Sequence, residues 1–246
     1  MLWFLVLWPP LAFALVIAAA SGYAVRGGAT SSEKVGEFIR PRVPVLLALT
    51  LALVGLTLGG LFVASGDVER SLTGSFGAGT WEGIGAGVVV GSVLAAVYFG
   101  GLDRAVRGAQ ARFGDYVPSG STAVLGTGGA AFFIANVMLA PVVEEAWYRG
   151  ALFDALAGPL GPLSAAIVGC AAFGLFHWPG GAWYVVVTGV LVGGACWTLR
   201  AWDGGLAAPY AAHLTLNAIE YVVLTRRSRR ARDLAAGEGR ARPRAV

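Results

Sequence analysis

The sequence predicts an all-α protein, a polytopic transmembrane bundle of about seven to eight membrane helices, and three observations predict it. The chain of 246 residues is 57% hydrophobic and only 13% charged, with a mean hydropathy of +0.70, outside the range of a soluble domain. Apolar runs long enough to cross a hydrocarbon core of about 30 Å recur along it. The basic residues between those runs alternate in density from loop to loop, the pattern of a chain threaded through a bilayer with its basic loops inside.

The runs are read at residues 2–20, 44–64, 81–102, 121–157, 162–178, 182–200 and 206–224. The first has no basic segment ahead of it, and Ala18, Ala19 and Ala20 before Ser21 make a weak cleavage site, so it is expected to stay as an uncleaved helix. The first loop carries Arg26, Lys34, Arg40 and Arg42, the second only Arg70 beside Asp67 and Glu69, the third Arg104, Arg107 and Arg112. An N-terminus outside and a C-terminus in the cytoplasm satisfy this bias with seven crossings.

The run 121–157 is too long for one straight span, about 55 Å at ~1.5 Å per residue. Pro141 invites a kink or break in it, with the preceding part tilted, interfacial or a separate helix. Gly158 to Pro162 and Pro179-Gly180-Gly181 read as turns. Gly83, Gly87 and Gly91, then Gly189 and Gly193, place small residues four apart, which suits close packing within the bundle more simply than a dimer motif. Cys170 and Cys196 lie in apolar runs and read as small packing residues, not a disulfide framework.

Eight arginines between Arg226 and Arg244, beside only Asp233 and Glu238, give this segment more positive charge than the net +4 of the whole chain. Beside a span they indicate a cytoplasmic tail near anionic lipid, with no nucleic-acid partner, since no aromatic platform accompanies them. Beyond its first turn this tail is expected to be disordered. The organisation is then residues 1–120 as three N-terminal spans with their loops, 121–225 as a helical core, and 226–246 as a basic tail.

Within that core, three pieces place ionisable and ligand-type side chains in membrane-like surroundings, at about 2.5 kcal/mol or more each. They are Glu144-Glu145-Ala146-Trp147-Tyr148-Arg149, Phe173 to His177, and His213 to Asn217, and they hold both histidines of the chain. Glu145 with Arg149, Phe173 with His177, and His213 with Asn217 are four apart and share helix faces. Adjacent positions diverge by about 100°, so Glu145 is assigned to Arg149 as a structural ion pair and Glu144 to the remaining polar groups. Counting ~1.5 Å per residue from the turn at 158–162 puts Glu144 and His177 at similar depths, roughly 20 and 23 Å from it. His213 and Asn217 reach the same zone, with a kink, tilt or water-filled cavity there. Phe173 is expected to wall that cavity, Trp147 and Tyr148 to pack, and Glu220 to be an interfacial acid near the arginines.

Two imidazoles and a carboxylate are also an open zinc set, so Glu144, His177 and His213 are candidate ligands for Zn2+ or another divalent metal. An intramembrane Glu/His cluster equally suits a proton- or metal-coupled transporter.

Taken together and in this order on successive apolar helices, Glu-Glu-x-x-x-Arg, Phe-x-x-x-His and His-x-x-x-Asn resemble the CPBP intramembrane metalloproteases. That family includes the CAAX prenyl endopeptidases and the Abi proteins of bacteriocin self-immunity. The resemblance covers about residues 121–224. It implies that Glu144 and His177 activate a water against a peptide carbonyl, while His213 and Asn217 stabilise the oxyanion or help bind a metal. The implied partners are membrane lipid and a membrane-embedded or lipid-anchored peptide. Ala, Gly, Val and Arg usage points to a bacterial cytoplasmic membrane. A non-catalytic peptide-binding immunity protein of the same fold is a third reading.

Overall fold

A computed structural model of the protein describes residues 2–65, 80–102, 104–105, 108, 129–178 and 181–241. Among them are eight helices and no strand, and the expected all-α bundle is borne out. Helix α1 is Leu2–Arg26, α2 is Ser32–Ile39, and α3 is Val43–Ser65. Helix α4 is Thr80–Leu102, its last turn, Tyr98–Leu102, being π-helical. Helix α5 runs over 129–160, α6 is Pro162–Phe176, α7 is Ala182–Asp203 and α8 is Ala207–Ala241. Of the expected features, residues 121–128, Pro179, Gly180, Asp67, Glu69, Arg70, Arg107, Arg112, Arg242 and Arg244 lie outside the described residues.

All seven expected spans contain a helix, but only α1, α3, α4, α5 and α7 are both long and apolar enough to cross a membrane on those grounds alone. Helix α6 has 15 residues, about 22 Å at ~1.5 Å each. Helix α8 is long, but His213, Asn217 and Glu220 lower its hydropathy. Large apolar side chains such as Leu7, Leu11, Leu49, Leu56, Val89 and Val93 face outward, as lipid contact requires. The hydroxyls of Thr50, Thr57, Ser92, Thr188 and Thr198 each donate to the carbonyl four residues back, which hides them from hydrocarbon.

Three expectations are corrected. Pro141 does not break α5: an α-helical stretch, Ala140–Glu145, continues between π-helical stretches at Phe133–Leu139 and Ala146–Ala151. The wider π turns absorb the missing N–H without ending the helix. The turn expected at 158–162 contracts to Gly161, whose φ of 78° is open to glycine, while Pro159 stays inside α5. The arginine-rich tail is helical to Ala241, because Ala, Arg, Leu and Glu propagate a helix already started. The first loop also folds: Ser31 caps α2 by accepting from the Lys34 N–H at 3.3 Å, and Arg42 stacks 3.8 Å over Phe38.

Side chains from α1, α3, α5 and α6 form the main core, with Leu5, Val54, Leu58, Trp147, Leu152, Leu156 and Phe173 buried. The Trp147 indole N–H donates to the Leu5 carbonyl at 2.7 Å. In a regular helix that carbonyl would serve residue 9, which is a proline within α1 and has no N–H to give. Helices α4 and α8 pack differently. A Cβ on Gly87 or Gly91 would collide with the carbonyls of Ala208 or Ala212, and one on Gly83 would meet the Asp203 carboxylate. The glycine stripe therefore serves packing within the bundle. Gly189 and Gly193 do the same on α7 against Cys170 of α6, with Gly174 as the facing partner of Gly189.

Candidate active site

Glu144 and Glu145 sit on the stretch of α5 between the two π-helical segments, and their side chains diverge as neighbours on a helix must. Glu145, fully buried, accepts from Arg149 Nη1 at 3.0 Å through Oε1. Arg149 spends a second N–H on the Gly193 carbonyl at 3.2 Å and lies 4.3 Å over the Phe173 ring. Two charges are thereby held in the bundle with hydrogen bonds and a ring face in place of water.

The same Glu145 oxygen also holds His213 of α8, whose Nδ1 is 2.8 Å away. A carboxylate beside an arginine can only accept, so the proton of this bond is on Nδ1 and the lone pair of neutral His213 is on Nε2. His177, at the C-terminal cap of α6, points Nδ1 at the Phe173 carbonyl at 2.8 Å. A carbonyl also only accepts, and the lone pair of His177 is likewise on Nε2. Both of these nitrogens face Glu144 Oε2, at 3.9 Å for His177 and 4.0 Å for His213.

Glu144 is 5% exposed, and Oε2 has no hydrogen-bond partner among protein groups. Separations near 4 Å are too long for direct hydrogen bonds and suit one water shared between acceptors. Among the described residues, no group of three or more His, Cys, Asp or Glu side chains is disposed to hold a metal ion.

Asn217, one turn beyond His213, donates Nδ2 to the backbone carbonyl of Asn136 on α5 at 2.7 Å. Phe173, His177, His213 and Asn217 line a cavity that opens to the outside. Its other walls include Leu94, Tyr98 and Phe99 of α4 and Tyr184, Val187, Thr188 and Leu191 of α7. Glu144 lies behind the two imidazoles. Phe173 is the wall that was expected, and its ring also contacts both histidines, at 4.7 Å for His177 and 5.7 Å for His213. Trp147 and Tyr148 are buried packing residues, and Cys170 and Cys196 are free thiols in the packing.

The structure thus brings Glu144, Glu145, Arg149, Phe173, His177, His213 and Asn217 together. The role of Glu145 widens from neutralising Arg149 to orienting His213 as well. Glu220 lines the cavity with His213 and Asn217 as well. The signal was its seven-residue offset from His213, two turns on the same face. Asn136 was missed, since a contact through its backbone carbonyl leaves no trace in a side-chain pattern.

Residues 126–219 match the family model described as Rce1-like: Type II CAAX prenyl endopeptidase Rce1-like. The match contains every residue of the cluster and agrees with the resemblance of the three motifs to CAAX-type intramembrane endopeptidases. No curated protein and no solved structure matches the chain.

Proposed function

We propose, from an Rce1-like region that encloses the whole polar cluster, that the protein is an intramembrane endopeptidase cleaving a membrane-embedded or lipid-anchored peptide. The observation that carries this reading is the convergence of three lone pairs, on Glu144 Oε2, His177 Nε2 and His213 Nε2, at 3.9 and 4.0 Å around one carboxylate oxygen.

A water between Glu144 and His177 gives one proton to Glu144 as its oxygen attacks the substrate carbonyl carbon, while His177 Nε2 accepts its other hydrogen and aims it. The oxyanion that forms meets an N–H of Asn217. His213, held by Glu145 through Nδ1, turns its Nε2 lone pair toward the same Glu144 oxygen and helps hold the water there. The proton on Glu144 then passes to the amide nitrogen as the C–N bond breaks, releasing a carboxylic acid and an amine. Glu144, His177, His213 and Asn217 are the catalytic residues of this scheme, and Glu145, Arg149 and Phe173 hold them in place.

The apolar wall of Leu94, Phe99, Val187 and Leu191 suits a lipid-soluble stretch of substrate. The loop charges support a bacterial cytoplasmic membrane with the N-terminus outside and the arginine-rich end of α8 in the cytoplasm. No step of this scheme passes through a metal.

Purified protein and the Glu144→Gln variant are each incubated with a library of membrane peptides, with and without a chelator, and products are read by mass spectrometry. Wild type is expected to cleave, chelation to leave cleavage intact, and Glu144→Gln to lose about 10²–10⁴-fold in rate. Full activity of Glu144→Gln would sink the mechanism, and metal-restorable loss on chelation would replace its water step. Binding without cleavage would mark a peptide-holding protein, and proton- or metal-coupled flux in liposomes a transporter.

A further inference from the structure

We propose that Pro141 is a positioning residue for Asn217, acting through the backbone carbonyl of Asn136; the catalytic meaning of that position rests on the endopeptidase reading. In a regular α-helix the Asn136 carbonyl would accept from the N–H of Ala140. Here Ala140 N–H bonds to the Ala135 carbonyl instead, the five-residue spacing of a π turn. In that spacing the donor to Asn136 would be residue 141, and a proline has no N–H. The sequence therefore withholds both helical donors from one carbonyl at the edge of the polar cluster, where an unpaired acceptor is costly.

Asn217 fills the gap at 2.7 Å. Because the acceptor is a carbonyl, the amide group that faces it is Nδ2. That fixes the plane of the carboxamide and leaves its second N–H and its Oδ1 for the cavity that Asn217 lines. An aspartate at this position would have no proton to give, and a leucine no polar atom. Asn136 and Asn217 are the two asparagines of the chain, and they meet at this contact. The bundle uses the same device between α1 and α5, where Pro9 leaves the Leu5 carbonyl for Trp147. At Pro141 the recipient is a residue of the site.

Pro141→Ala tests this by supplying the missing N–H, which competes with Asn217 for the Asn136 carbonyl. With a cleavable peptide, kcat is expected to fall about 10- to 100-fold and KM to stay within about twofold, as for a misplaced group that acts in the transition state. The double variant Pro141→Ala/Asn217→Ala is expected to be no slower than Asn217→Ala alone. Pro159→Ala, at the far end of α5, is the control for a general helix effect and should leave kcat unchanged.

A second readout needs no activity. Protein labelled with ¹⁵N in the asparagine side chains gives two amide pairs by NMR, and Pro141→Ala should move the Asn217 pair, assigned with Asn217→Ala. Multiplying costs in the double variant, an equal loss in Pro159→Ala, or an unmoved Asn217 pair would each overturn the proposal. If wild type cleaves nothing, the endopeptidase reading fails, while the NMR arm still decides whether Pro141 positions Asn217.

Discussion

The two helix pairs that face each other across the polar cluster are built on opposite principles. Helices α5 and α6 meet through large side chains, with Trp147, Phe173, Leu152 and Leu156 filling the space between them and α1. Helices α4 and α8 meet backbone to backbone, with Gly87 and Gly91 against the Ala208 and Ala212 carbonyls. The first pair supplies Glu144 and His177, the second His213 and Asn217. Side-chain packing fixes a position by filling volume, so it is sensitive to what is removed. Backbone packing fixes a position by closeness, so it is sensitive to what is added. The Glu145 carboxylate joins the two, since one oxygen holds Arg149 within α5 and His213 on α8.

That contrast breaks most severely at the joint. Glu145→Ala would leave Arg149 buried without its counter-charge and His213 Nδ1 without its acceptor, and unfolding in detergent should show a loss of about 3–5 kcal/mol. A variant as stable as wild type would mean that the two pairs are held together elsewhere. On the backbone-packed side, Gly91→Ala presses a methyl into the Ala212 carbonyl and brings it 2.9 Å from Thr215 Cβ. It should destabilise by about 1–3 kcal/mol and slow cleavage by shifting His213 and Asn217.

On the side-chain-packed side, Trp147→Phe keeps most of the volume and orphans the Leu5 carbonyl, for about 1 kcal/mol. Its cleavage rate per folded molecule should stay at the wild-type value; a large fall in rate would tie α1 to the site. The smallest effect belongs to Gly85→Ala on α4, where an added Cβ meets nothing within 4 Å. It should be neutral or stabilising by up to about 1 kcal/mol, and a loss matching Gly91→Ala would refute the distinction between the faces of α4.

Much of this was legible in the sequence, for a definite reason. Charges in apolar runs and four-residue spacing are properties of one helix at a time, and Glu145–Arg149 follows from them directly. Glu144 and His177 could also be matched, because both lie on helices leaving the same turn at Gly161 and depth counting works from a common origin. The pairing of His213 with Glu145 was not legible, since the register of α8 against α5 is set by tertiary packing. Asn136 was hidden because its contribution is a backbone carbonyl released by a shift in helical spacing. Of the kink or break expected at Pro141, the break is absent because a π turn can absorb a proline.

The shared oxygen of Glu145 also imposes an order of assembly. Its bond to Arg149 lies within one helix and can form as soon as α5 is made. Its bond to His213 must await α8, which leaves the ribosome after α5 and docks on α4 only where glycines admit its backbone. The three lone pairs therefore converge only in the finished bundle, and a nascent or truncated chain carries its carboxylates without the imidazole that completes the centre.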